Sequence, residues 1–124
     1  MNAGLLAASI LTVLLAIAHT AIGELLIFRA IRRAARENPD AIAVLAPRRW
    51  AALWSSWHLV TLLGLGLAAV LWVLANDASA SFAELRPVLT ATFAISSVFW
   101  VWGTRGRHPA WLALAVIAAV IWSA

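Results

Sequence analysis

The sequence contains no cysteine. Disulfides, thiolate metal sites, thioether-linked haem and cysteine nucleophiles are thereby excluded, and the redox compartment leaves no mark on the chain. Lysine is missing as well: all nine basic residues are arginine, a bias that fits a GC-rich bacterial genome. Charged residues of both signs together make up only 11% of the chain, against about 25% in an ordinary soluble domain. No basic and aromatic surface stands outside the apolar segments, which argues against a nucleic-acid partner. Neither an activated nucleophile nor a phosphate-binding glycine loop can be picked out, so the residues favour a non-enzyme.

What the chain has in excess is apolar side chains, 65% of its 124 residues. The usual fraction is about 45 to 50%, so a membrane class follows before single residues are considered. At about 20 apolar residues per crossing, the length admits four or five spans with short loops. The expected architecture is therefore one all-α domain, an integral membrane four-helix bundle.

The first span is read over residues 3–31, with a helical cytosolic extension to residue 37. That extension carries Arg29, Arg32, Arg33 and Arg36 at i, i+3, i+4 and i+7, a stripe down one face. Asn38 and Pro39 end it. Ala16 and Ala18 resemble a signal-peptidase site, but no positive side chain precedes Leu5 and the apolar run continues past that point. The second span is expected over residues 50–75, stopped by Asn76 and Asp77. Ser81 and Glu84 form a capping-box pattern ahead of a third span over residues 82–102 that stops at Gly103, with Pro87 in or near its first turn. The fourth, residues 109–123, opens on Pro109 and is short.

Arginine sets the orientation. Eight of the nine arginines lie where spans one and two or three and four join, and Arg86 alone lies where two and three join. The rule that positive loops stay inside then puts both termini on the extracytoplasmic side of a bacterial inner membrane. Trp50, Trp100, Trp102 and Trp111 fall at the arginine-rich ends and Trp72 and Trp122 near the others, as indoles at both interfaces should. The Arg29 to Arg36 stripe is expected to meet anionic headgroups, at about 1 kcal/mol per arginine.

Ionisable side chains within a span are costly, and each is a candidate functional residue. His19, Glu24 and His58 qualify. Their depths from the arginine-rich interface are roughly 15, 7.5 and 12 Å at 1.5 Å per residue, so they bracket one layer. Ser97 and Thr61 fall in or beside that layer, and Trp54 and Trp57 flank His58. His19 and Glu24 are about 140° apart on a regular helix, so they are expected to face different neighbours. His19 would face the second helix, with Gly23 allowing close approach. Thr20 is placed to hydrogen-bond the Glu24 carboxyl. A His and Glu pair at this depth can exchange one proton near neutral pH. Two histidines and a carboxylate are also the minimum for a divalent metal, and His19 with His58 could bracket a haem b. Polar residues in membrane bundles also serve simply to hold helices together.

The stretch HTAIGE at His19–Glu24, the pair Trp57 and His58 with Thr61, and GRHPAW from Gly106 to Trp111 resemble a pattern in small four-helix bacterial membrane proteins. These motifs touch three of the four helices. The resemblance implies a shared fold and a shared site built on those residues, and no assigned activity comes with it. In size the chain is also similar to small multidrug resistance transporters, whose first helix holds an essential carboxylate. It departs from them in its arginine asymmetry and deep histidines. The expectation is a proton, metal-ion or small-ligand site built from His19, Glu24, His58, Trp57, Thr61 and Ser97, serving transport or redox function. The alternative is an accessory subunit that packs in a larger membrane complex or a homo-oligomer.

Overall fold

A computed structural model describes residues 1–38, 40 and 47–124. Among these residues it is all-helical. Helix α1 covers Ala3–Glu37, α2 Pro47–Asn76, α3 Phe82–Thr104 and α4 Ala110–Ser123. The first three are each long and apolar enough to cross a membrane, and α4 is a shorter apolar helix.

Local chemistry explains the helix ends. Asn2 caps α1 by accepting the Leu5 N–H at 3.1 Å, which satisfies one of the amides a helix start leaves orphaned. At its far end α1 stops after Glu37, and Asn38 leaves helical geometry. Pro39, expected to share in that stop, lies outside the described residues. Past α2, Asp77 accepts both the hydroxyl and the N–H of Ser79, at 2.6 and 2.9 Å. Those two bonds hold the Asp77 carboxyl below its usual range. Glu84 accepts the Ser81 N–H at 2.7 Å and its hydroxyl at 3.0 Å, which fixes the start of α3. Pro87 lies inside α3, near its first turn.

Helix α3 does not stop at Gly103. It runs to Thr104 and is closed by two residues of positive φ, Arg105 at 53° and Gly106 at 70°, with the Gly106 N–H on the Val101 carbonyl at 2.8 Å. Gly103 has a different task. A Cβ there would run into the Ser55 hydroxyl, so the glycine lets α2 and α3 close on each other.

The helices form a row of antiparallel neighbours. Along α1, Asn2 reaches Ala75, Ser9 reaches Ala68, Thr20 reaches Thr61 and Phe28 reaches Trp50, a steadily falling partner number. Helix α2 packs on α3 in the same sense and α3 on α4, whereas no other pair among the described helices shares a substantial interface. This open row differs from a closed bundle. With short connections, each helix folds back onto the one before it.

The interfaces are built from small and polar residues. Ser9, Ala16, Ser55, Ala68, Ala75, Ser96 and Ala118 are buried, while Leu11, Leu14, Leu15, Leu25 and Leu26 of α1 point outward. Gly64 touches Ala16 of α1, and Gly66, on the other side of α2, admits Thr92 of α3. Small residues let backbones approach closely, and an outward apolar coat on helices of this length is what hydrocarbon surroundings require. Opposite the arginine-rich end, Arg86 lies over the Trp122 ring at 5.4 Å and ties α3 to α4.

Candidate functional site

The site is organised around a break in α1. Residues Gly23–Phe28 form a π turn, in which the Arg29 N–H bonds the Glu24 carbonyl five residues back. Such wide turns depart from the regular helix ladder. Beside this one stands Trp57 of α2. Its indole N–H donates to the His19 carbonyl at 3.1 Å, and its ring occupies the space a side chain on Gly23 would need. His19 answers in kind, with its Nε2 on the Trp57 carbonyl at 3.2 Å and the two rings stacked 4.3 Å apart.

Glu24 sits at the start of this turn and gathers three partners. One carboxylate oxygen, Oε1, meets the Trp54 indole N–H at 2.5 Å and His58 Nε2 at 3.0 Å. The other, Oε2, accepts from the Arg32 guanidinium at 2.9 Å. His58 is buried and enclosed by aromatic rings: Trp54 at 4.3 Å, Phe28 at 6.0 Å and Phe99 of α3 at 6.2 Å. Glu24 keeps 32% of its side chain exposed, so the carboxylate can be approached while the imidazole is sealed.

These positions change several expectations. Glu24 and His19 both face α2. Ile22 and Gly23 keep regular helical torsions and the wide turn lies mostly beyond Glu24, so the carboxylate reaches Trp54 and His58 through the length of its side chain. His19 does not join the Glu24 and His58 pair, because its imidazole is turned onto Trp57. Thr20 bonds Thr61 at 2.7 Å and not the carboxyl, so Thr61 is an interhelical tie. Ser97 turns to the opposite side and donates to the Trp111 carbonyl of α4 at 2.8 Å.

Arg32 leaves the expected lipid-facing stripe for Glu24, and Arg33 pairs with Glu37 at 2.7 Å. Arg29 and Arg36 have no carboxylate partner among the described residues. Two residues of the carboxylate's shell, Trp54 and Arg32, were not singled out as its partners by sequence alone. Signals for both existed: Trp54 lies one turn before His58, and Arg32 two turns after Glu24.

The donor set does not suit the metal groups considered above. Among the described residues no three His, Asp or Glu side chains converge as a ligand shell. For a haem between His19 and His58, both Nε2 atoms are engaged, and the Trp57 and Phe28 rings stand in a chain of contacts between the two imidazoles. What the arrangement provides is a carboxylate held at one oxygen by the Arg32 guanidinium and at the other by the Trp54 indole and His58 Nε2. Comparison with known protein families, curated proteins and solved structures finds no match to this chain.

Proposed function

We propose that the chain is a multi-pass protein of the bacterial inner membrane in which Glu24 and His58 bind and release one proton, in support of transport or redox function. The observation that carries this reading is the 3.0 Å contact of His58 Nε2 with Glu24 Oε1, in a setting where Arg32 balances the other oxygen. An imidazole titrates near physiological pH, and a carboxylate at hydrogen-bond distance gives the proton a second place to rest. The antiparallel row brings the arginines of α1, the start of α2 and the turn between α3 and α4 to one end. By the positive-inside rule that end is cytoplasmic, and the pair opens towards it. His19 serves through Trp57, whose indole packs on Gly23 beside Glu24.

The open row favours a second reading, an accessory subunit. Among the described helices, α1 and α4 each have one neighbour, which leaves long apolar faces for a larger membrane complex.

Histidine ring ¹⁵N spectra of the protein in lipid nanodiscs, followed from pH 5 to 9, test the proton site. The His58 nitrogens should titrate, and Glu24→Gln should move the midpoint by about one pH unit or more, as loss of a charged partner does. His58 resonances that stay constant across the range would sink the proposal and leave the structural reading standing.

A further inference from the structure

Beyond the Glu24 site, on the other side of α2, a cavity of about 570 Å³ opens at the arginine-rich end. Its wall comes from two places far apart in sequence. Arg48 and Trp50 lie in the first turn of α2 with Trp54 one turn deeper, and Arg105, Arg107 and His108 belong to the turn between α3 and α4. Among the described residues no Asp or Glu lines it. We infer that this cavity is a binding site for a phosphate group carried by a larger molecule.

Four features lead there. The first is charge: side chains of one sign gathered around a concave space, with no described carboxylate in the lining, constitute an anion site. Arginine in particular matches phosphate oxygens two at a time. The second is the backbone. Among the described residues α2 begins at Pro47, and the positive end of its dipole adds to the field from the arginines. The third is conformation. Arg105 adopts φ 53°, a left-handed geometry uncommon for a residue with a side chain, in the turn that lines the cavity.

The fourth is His108. Its Nδ1 accepts the Ala110 N–H at 3.3 Å, which fixes the proton of the neutral ring on Nε2 and leaves that N–H as a donor. The volume exceeds what a bare phosphate needs and lies in the range of small-molecule sites, at about 300 to 1,000 Å³. Trp50 and Trp54 give the remainder of the ligand an aromatic wall. A phospholipid headgroup and a soluble phosphorylated compound share this chemistry. Trp54 also touches Glu24, so an occupant would sit one side chain away from the proton pair.

Two arms of one experiment separate the sources. The detergent-solubilised protein is titrated with inorganic phosphate, and in parallel with short-chain phosphatidylglycerol against short-chain phosphatidylcholine, with tryptophan emission as the readout. At least one anionic probe should saturate, and phosphatidylcholine should not. The double variant Arg105→Gln and Arg107→Gln should weaken that binding by at least about tenfold, the scale of losing hydrogen bonds to a charged group. Arg86→Gln removes a positive charge at the opposite end of the row and should change it less than about threefold. Saturation by the lipid alone assigns a headgroup, and saturation by phosphate assigns a soluble compound. Failure of both probes to saturate, or equal loss in the double variant and in Arg86→Gln, overturns the inference. Circular dichroism of each variant verifies the fold. Because the readout does not involve protonation of His58, it stands or falls apart from the proton site.

Discussion

A single missing side chain controls the site at the residue scale. Gly23 leaves room for the Trp57 indole, and Trp57 in turn holds the His19 ring and its carbonyl. Gly23→Ala places a methyl group inside that ring's volume. The indole cannot stay where it is, so the stacked pair and the hydrogen bond to His19 should be lost together. Overpacking of this kind costs about 1 to 3 kcal/mol, to be read as a lowered thermal midpoint in detergent. Gly66, on the other side of α2, admits Thr92 by the same device. The deep imidazole and carboxyl groups were legible in the sequence, because the cost of burying them in hydrocarbon marks them out. Which of them meet was not. A long side chain reaches partners that its helical azimuth alone does not indicate: Glu24 reaches Trp54 and His58, and Arg32, expected at the headgroups, returns to Glu24.

At the scale of the element, the π turn is one residue more than a regular α-helix would use over the same rise. Deleting Leu26, which is exposed within the turn, should restore regular geometry while leaving Phe28 and the arginines beyond it on their present faces. Glu24, at the start of that turn, would then shift relative to Trp54 and Arg32. The His58 titration in the deletion variant should resemble that of Glu24→Gln, and an unchanged midpoint would show that the turn does not position the carboxylate. Helix existence and approximate extent could be read from apolar runs and stop residues. The end of α3 could not, since Gly103 looks like a stop but serves close packing, and the turn that closes the helix uses Arg105 and Gly106.

For the whole molecule, orientation is the property most open to direct measurement. A chain without cysteine accepts single reporter thiols cleanly. Ala78→Cys, in the exposed turn between α2 and α3, and Glu37→Cys, at the exposed end of α1, sit at opposite ends of the row. If the arginine-rich end is cytoplasmic, the two single-thiol variants should label differently in intact cells. An impermeant maleimide should reach position 78 and leave position 37 unmodified until the membrane is opened; the reverse pattern would invert the proposed topology. Pairing of the described helices only with their sequence neighbours also bears on how the chain acquires its structure. Few contacts wait for distant parts of the chain, so the topology has the low contact order that goes with rapid folding. Each hairpin can settle as soon as its second helix is made, and biosynthesis and assembly proceed in one direction, from the amino terminus onward.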